Sequence, residues 1–193
     1  MSGHVGIFGG AFDPPHDGHV ALAREAIGHF RLERLLVRVV AAPGHKEVEA
    51  APEVRLHLAE LAFAPIDEAE VSLDPFARTA DSLEALGLED PVFLVGADEL
   101  AALPRWVRPD RVLELARIGA ATRPGSDRLE LARVIALLPQ PERVELFPIP
   151  PLAVSSSQVR ERTAAGLPVD DLVPAAVAAE ICRLGLYRGT SRP

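Results

Sequence analysis

The sequence predicts one α/β domain, residues 1–193, built on a Rossmann-like, doubly wound and mostly parallel sheet. Two observations support this fold class. Short apolar, β-branched runs alternate with segments whose apolar residues recur at helical spacing. The chain also has the length of one domain and contains no low-complexity linker. In such sheets helices cover both faces, and ligands bind beyond the carboxyl ends of the strands.

Six short apolar runs have the length and composition of strands. They are residues 5–8, 35–40, 71–73, 92–95, 117–122 and 144–147. Gly9 and Gly10 follow the first run and Gly96 follows the fourth. Glycines at these places are typical of a turn after a buried strand.

Six further segments carry apolar residues at the spacing of a helix. They are residues 19–31, 52–62, 79–86, 129–138, 158–165 and 175–184. Pro52 opens the second of them, and proline is well tolerated in the first turn of a helix. The proline-rich residues 139–151 are predicted to form a surface connection, not a domain boundary.

The composition argues against several classes of protein. The net charge of −8 disfavours sequence-independent binding of nucleic acid, which needs a basic surface. The N-terminal residues do not show the basic flank and long apolar run that are typical of a signal peptide. No uncharged stretch reaches the roughly 20 residues of a membrane span. The single cysteine, Cys182, fits a reducing cytoplasm and is predicted to pack within a helix. We therefore expect a cytoplasmic protein that binds neither nucleic acid nor a membrane.

The most informative segment is residues 9–19, which read GGAFDPPHDGH and lie where a doubly wound fold binds phosphate. Its two leading glycines are expected to adopt dihedrals that a side chain forbids, so that the backbone approaches a bulky ligand. His16 and His19 share one face if the helix has begun. Gly18 between them is expected to leave room for a ligand, and the helix N-terminus attracts an anion.

Four other interpretations of this segment compete with phosphate binding: a dinucleotide fingerprint, a P-loop, a zinc site and a helix cap. The glycines do not form G-x-G-x-x-G, and Lys46 is followed by Glu47, so neither a dinucleotide fingerprint nor a P-loop is present. Two histidines three residues apart can bind zinc, but no nearby cysteine or glutamate offers a third ligand. The structural alternative is a pair of histidines in a helix cap. The glycines and the buried strand before them favour phosphate binding.

A second candidate anion site lies near the C-terminus, where three serines precede a helical pattern. Serine is a preferred N-cap, and its hydroxyl together with free N–H groups forms an anion cradle. Arg160 follows about one turn later, so its guanidinium is expected to face the same phosphates and not a carboxylate. The alternative is an ordinary capped helix. A serine hydrolase is excluded because no G-x-S-x-G motif occurs.

Residues 9–19 resemble the G-G-x-F-D-P-x-H-x-G-H signature of the nicotinate/nicotinamide mononucleotide adenylyltransferases, within the wider H-x-G-H nucleotidyltransferase superfamily. Residues 154–160 resemble the second signature of that family, I-S-x-T/S-x-x-R. Other segments match in the right order, so the resemblance covers nearly the whole chain. These segments are residues 43–46 (PGHK), 96–100 (GADEL), 103–106 (LPRW), 122–125 (TRPG) and 171–188.

The resemblance implies two adjoining sites, with C-terminal helices over about 155–188 completing the first. It assigns ATP to Gly9, Gly10, Phe12, His16, Gly18, His19, Ser155, Ser156, Ser157 and Arg160, among which His16, His19 and Arg160 are the catalytic candidates. It assigns the acceptor to His45, Lys46, Arg78, Thr79, Asp98, Trp106 and Arg123. The structural alternatives are core packing for Trp106, a helix cap for Asp98, and solvated charges for the basic residues.

The implied reaction is adenylyl transfer from ATP to nicotinate mononucleotide, which gives the deamido dinucleotide and pyrophosphate, a step of NAD biosynthesis. The expected partners are thus ATP and a pyridine mononucleotide, with Mg²⁺ carried on the ATP phosphates and no metal site made by side chains. The acceptor phosphate is already mostly ionised at neutral pH, so no general base is needed.

Three departures from the family pattern lie on the acceptor side. Arg78 stands where the family usually has tyrosine, Val107 follows the tryptophan where an aromatic residue is common, and residues 39–42 lack the usual proline and asparagine. The alternatives left open are the same chemistry on nicotinamide mononucleotide or another phosphorylated acceptor, such as phosphopantetheine. A regulatory protein that retains ATP binding but has lost efficient acceptor binding is also left open.

Overall fold

The computed structural model describes residues 4–44, 47–125 and 127–189. Its centre is a six-stranded sheet of order β3-β2-β1-β4-β5-β6, and every neighbouring pair of strands is parallel. The order reverses between β1 and β4, as in a doubly wound fold, so the predicted fold class is confirmed. The strands are β1 (Val5–Gly10), β2 (Arg34–Val40), β3 (Ala69–Asp74), β4 (Val92–Gly96), β5 (Arg117–Thr122) and β6 (Val144–Pro148).

Helices connect the strands on both sides of the sheet. They are α1 (Asp17–Phe30), α2 (Pro52–Phe63), α3 (Thr79–Leu86), α4 (Ala97–Ala102), α5 (Pro109–Leu115), α6 (Arg128–Ala136), α7 (Ser156–Ala164) and α8 (Ala175–Leu184). Helices α4 and α5 were not predicted from the sequence, because helices of 6 and 7 residues are too short to display a helical period. The predicted packing of Cys182 is wrong: Cys182 is exposed on α8, while its neighbour Ile181 is the residue that packs inward.

Two apolar clusters lie on opposite faces of the sheet. Neighbouring residues of β1 point to opposite faces, so Phe8 belongs to one cluster and Ile7 to the other. The first cluster packs against α1, α2, α7 and α8, and the second against α3, α4, α5 and α6. Because both faces are covered, the open positions for a ligand are at the carboxyl edge of the sheet.

A buried guanidinium ties the carboxyl ends of β1 and β2 together. Arg55 on α2 is fully buried. Its Nη1 donates to the carbonyls of Ala11 at 2.7 Å and Val40 at 2.8 Å. Its Nη2 donates to the carbonyl of Ala41 at 2.8 Å, and its Nε to that of Ala50 at 3.0 Å. Four carbonyl oxygens therefore take the place of water around the cation, and they fix the turn after β1 against both ends of the loop between β2 and α2.

We expect Arg55→Met to lower the free energy of unfolding by about 3–5 kcal/mol, because it leaves several buried carbonyls without a donor. Denaturant unfolding followed by circular dichroism measures this loss. Arg24→Met is the matched control, since Arg24 is an exposed arginine on α1 that donates to a single carbonyl, that of Pro65. The control should change stability by no more than about 0.5 kcal/mol. Equal losses in the two variants would contradict a central role for Arg55.

Candidate active site

The turn between β1 and α1 differs from the prediction in its backbone. Gly9 and Gly10 are the last residues of β1 and neither has a positive φ, so the predicted unusual dihedrals are wrong. Phe12 takes the left-handed conformation instead, with φ 49°. Its ring is buried and packs edge-on against Phe8 and Phe63. A Cβ on Gly10 would lie 3.1 Å from that ring, so Gly10 is needed for close packing.

His16 and His19 lie together at the start of α1, as predicted. Their rings are stacked, with centroids 3.7 Å apart and planes 24° apart. His16 is the N-cap residue of α1, and its backbone N–H donates to Nδ1 of His19 at 3.2 Å. The two imidazoles therefore face the same volume beside the helix N-terminus.

His16 is held in its neutral form. Burial, and then the positive charge of Arg123, lower the pKa of His16 from 6.5 to about 4. Its Nδ1 is buried and has no hydrogen-bond partner in the part of the chain that the structure describes. At neutral pH His16 thus supplies a hydrogen-bonding group and no charge.

Gly18 serves a different purpose from the one predicted. A Cβ at this position would lie 3.0 Å from Nδ1 of His16 and 3.2 Å from Cγ1 of Val154. The space beside Gly18 is filled by the protein itself, and the predicted free room for a ligand is not found there. The glycine instead lets the segment before α7 pack against the start of α1.

The serine segment meets the first turn at the carboxyl edge of the sheet. Ser155 is the N-cap of α7, and its Oγ accepts from the backbone N–H of Gln158 at 3.2 Å. Ser156 donates its hydroxyl to the carbonyl of Pro14 at 2.8 Å, across 142 positions of sequence. This contact joins the start of α7 to the turn before α1, and the first N–H groups of a helix have no partner within the helix.

Arg160 is held by two oxygens that the sequence analysis did not identify. Its Nη1 donates to the backbone carbonyl of Asp13 at 2.7 Å, and its Nε donates to Oε1 of Glu49 at 2.9 Å. The remaining nitrogen, Nη2, lies 3.5 Å from the hydroxyl of Ser157. The expectation that no carboxylate binds this guanidinium is therefore wrong, because the 47–50 loop brings Glu49 against α7.

The buried carboxylate of Asp13 joins three segments of the chain. Its Oδ2 accepts from the backbone N–H of Glu49 at 2.6 Å. Its Oδ1 accepts from the N–H of Ala50 at 3.2 Å and from the hydroxyl of Tyr187 at 2.7 Å. Burial and this carboxylate raise the pKa of Tyr187 well above its usual value. Asp13 lies within residues 9–19 but was not predicted as a site residue; a carboxylate between Phe12 and Pro14 was the available signal.

Several predicted acceptor residues follow the carboxyl ends of strands. Arg78 is the exposed N-cap residue of α3, and Thr79 is the first residue of that helix. Arg78 pairs with neither Asp74 nor Asp81: Asp74 accepts from Ser82, and Asp81 pairs with Arg108. The guanidinium of Arg78 is thus exposed at the edge of the sheet.

The other acceptor candidates surround the ends of β4 and β5. Asp98 is exposed on α4 and makes no capping hydrogen bond, so the capping interpretation is wrong. Trp106 is half-buried and meets the ring of Phe93 edge-on, at 6.2 Å and 88°. Arg123 donates to the carbonyl of Leu152 at 2.9 Å and lies close enough to His16 to lower its pKa. His45 and Lys46 lie outside the described residues.

In residues 4–44, 47–125 and 127–189, no three histidine, cysteine or acidic side chains come close enough to hold a metal ion. Near the stacked histidines, the carboxylate oxygens of Asp13 already accept three hydrogen bonds. Of the helices described above, none has both the length and the apolar character needed to cross a membrane.

Comparison with known proteins defines the class. The cytidylyltransferase-like family model matches residues 7–162 of this chain. The fold and the two joined helix N-termini are thus those of a nucleotidyltransferase enzyme of this group. Relatives matched along almost their whole length narrow the assignment, and the chain belongs to the nicotinate-nucleotide adenylyltransferase family. The resemblance inferred from the signatures is confirmed.

Two relatives and one solved structure illustrate the match. The chain is 40% identical over 198 residues to a probable nicotinate-nucleotide adenylyltransferase of Roseiflexus sp. (strain RS-1), covering 97% of this chain and 99% of the relative. It is 36% identical over 196 residues to one from Thermomicrobium roseum, covering 95% and 91%. The Plasmodium falciparum nicotinic acid mononucleotide adenylyltransferase complexed with NaAD has a TM-score of 0.78, with 96% of this chain and 97% of that chain covered. At 16% identity, this last likeness concerns the fold alone.

The depressed pKa of His16 makes stability depend on pH. Above about pH 7.5 the histidine is neutral in both folded and unfolded chains, so its contribution is fully present. As pH falls toward 4 the unfolded chain binds a proton that the folded chain does not, and that contribution is lost. We expect about 2 kcal/mol of unfolding free energy to be lost between about pH 7.5 and pH 5 for this reason.

His16→Gln isolates this effect, because it removes the titrating group at the same position. Unfolding free energies of wild type and variant are measured in denaturant across that pH range. The unfolding free energy of the wild type, relative to that of the variant, should fall by about 2 kcal/mol between about pH 7.5 and pH 5. Parallel pH profiles would show that His16 is not kept neutral by the fold.

Proposed function

We propose that this chain transfers the adenylyl group of ATP to nicotinate mononucleotide, forming the deamido dinucleotide of NAD biosynthesis and releasing pyrophosphate. The observation that carries the proposal is the contact between the two signature segments. Ser156 joins the start of α7 to Pro14, so two helix N-termini, the stacked histidines and Arg160 lie at one edge of the sheet. The names of the full-length relatives support the same reaction.

On the ATP side, the triphosphate lies between the N-termini of α1 and α7. Free N–H groups and helix dipoles attract an anion there, and Ser155, Ser156 and Ser157 add hydroxyls. Gly9, Gly10, Phe12 and Gly18 contribute backbone, since the ring of Phe12 is buried and the glycines have no side chain. His16, His19 and Arg160 donate to the phosphates. Magnesium enters with ATP as part of the substrate, held by phosphate oxygens and water.

The transfer step follows from this arrangement. An oxygen of the acceptor phosphate attacks the α-phosphorus of ATP, and the bond from that phosphorus to the bridging oxygen breaks. Pyrophosphate leaves with the bonding electron pair. No proton has to be removed from the nucleophile, so catalysis consists of holding two anions in line and stabilising charge on the leaving group.

On the acceptor side, the mononucleotide lies along the ends of β3, β4 and β5. Arg123, with His45 and Lys46, binds its phosphate, and Trp106, whose ring lies perpendicular to that of Phe93, stacks on the pyridine ring. Asp98 and Thr79 bind ribose or ring substituents, and Arg78 attracts the ring carboxylate. The exposure of Arg78 and its freedom from Asp74 and Asp81 support this last assignment.

The reaction itself is tested by pyrophosphate release from ATP with a panel of acceptors. We expect nicotinate mononucleotide to react faster than nicotinamide mononucleotide and far faster than phosphopantetheine. Equal rates on the two pyridine nucleotides would contradict the acceptor preference. ATP binding without turnover on any acceptor would favour the regulatory alternative.

We expect Arg78→Ala to remove most of the discrimination between the acid and the amide acceptor, about 1–3 kcal/mol for a charged hydrogen bond. The ratio of kcat/KM values for the two acceptors measures it. Arg34→Ala is the control, because Arg34 is an exposed arginine at the amino end of β2, where it pairs with Glu70. An unchanged ratio of kcat/KM values in Arg78→Ala would show that Arg78 is a solvated surface residue that does not bind the ring carboxylate.

We expect His16→Ala and His19→Ala each to lower kcat by at least about 100-fold, because each removes a donor to charge that grows during transfer. Steady-state kinetics and thermal melting are measured together. His29→Ala provides a control on the same helix, since His29 lies in the last turn of α1 and bonds Glu145 at the surface. Rates close to wild type in both variants, with normal melting, would refute the assignment of the first turn.

A further inference from the structure

The proposed transfer step by itself does not account for the contact between Glu49 and Arg160. Arg160 belongs to the ATP signature, and its side chain is 22% exposed. Glu49 lies in the loop before α2, and its side chain is 59% exposed. Its Oε1 lies 2.9 Å from Nε of Arg160. A carboxylate placed against a phosphate-binding guanidinium repels the substrate, so its presence there calls for a compensating role.

The hydrogen bonds of Arg160 fix the direction of its guanidinium. Nε donates to Glu49 and Nη1 donates to the carbonyl of Asp13, so two neighbouring nitrogens of one rigid plane are anchored. The nitrogen Nη2 lies 3.5 Å from Ser157, a weak contact at most. The orientation of the guanidinium is therefore fixed before a phosphate binds, and Nη2 is the nitrogen that is available to donate to it.

Glu49 is itself held firmly at the backbone. Its N–H and that of Ala50 both donate to the buried carboxylate of Asp13, at 2.6 and 3.2 Å. Asp13 thus anchors Arg160 twice, once through its own carbonyl and once through Glu49. An ion pair with one partner this exposed adds at most about 1 kcal/mol to stability, so the contact is better suited to orientation than to holding the fold.

We propose that Glu49 is a positioning residue for adenylyl transfer, which holds Nε of Arg160 so that Nη2 meets the ATP phosphates. This inference rests on the proposed function. Loss of the anchor leaves the arginine charged and present but free to rotate, so the transition state loses an aligned donor. The charge of Glu49 acts in the opposite direction, because its removal alone favours ATP binding.

The chain offers a matched control for the charge. Glu161 lines the same cavity of about 500 Å³ as Glu49 and Arg160. Its carboxylate makes no ion pair within the described residues, so Glu161→Ala removes a negative charge from the cavity without releasing the arginine. Glu49→Gln removes the charge but keeps an oxygen that can accept from Nε.

The experiment compares kcat and KM for ATP, at saturating mononucleotide, in wild type, Glu49→Ala, Glu49→Gln, Glu161→Ala, Arg160→Ala and the Glu49→Ala/Arg160→Ala double variant. We expect Glu49→Ala to lower kcat about tenfold, Glu49→Gln to retain most of kcat, and Glu161→Ala to leave it unchanged. In the Arg160→Ala background, Glu49→Ala should have no further effect on kcat. Melting temperatures of the Glu49 variants should match wild type.

Three results would overturn the inference while leaving the proposed function intact. They are an unchanged kcat in Glu49→Ala, a lower KM for ATP as its sole effect, or an equal loss of kcat with and without Arg160. The first excludes a positioning role, the second leaves only a charge effect, and the third shows that Glu49 does not act through Arg160. A wild-type protein that forms no dinucleotide would overturn both proposals together.

Discussion

The buried cation of Arg55 is the constraint on which the rest of the site depends. A charged group taken out of water has to be surrounded by acceptors, and here the acceptors are carbonyls from the turn after β1, the end of β2 and the loop before α2. Satisfying one guanidinium therefore fixes the turn after β1 relative to the loop between β2 and α2. Since these two segments carry Asp13 and Glu49, the same constraint places the residues that hold Arg160.

The charges of the site follow from this frame. In the proposed site, two helix N-termini and the arginines Arg123 and Arg160 supply the positive charge, while burial and the cation of Arg123 keep the imidazole of His16 neutral. Positive character thus comes from groups that stay charged at any physiological pH, while His16 supplies a directional donor. A site of this kind attracts a polyphosphate and stabilises a leaving pyrophosphate without needing a nucleophile or a general base of its own.

The sequence by itself determined the alternation of strands and helices, the parallel sheet and the two signature segments. The alternation and the signatures are local, because a period of two or of 3.6 residues, or a serine at a helix N-cap, can be recognised within a short window. Strands that alternate with helices in turn imply a parallel sheet. It also placed the stacked histidines correctly, since a spacing of three residues at the start of a helix leaves little freedom.

Only the tertiary structure decided which groups hold the site together. Glu49, Asp13 and Tyr187 are far apart in sequence, and no local pattern indicates that they meet at one carboxylate. The roles of Gly10 and Gly18 were likewise fixed by neighbours, Phe12 in one case and Val154 in the other, and not by backbone dihedrals. Apart from the contact between Gly10 and Phe12, these contacts join segments that are distant in sequence, and packing over long separations leaves no period in the sequence.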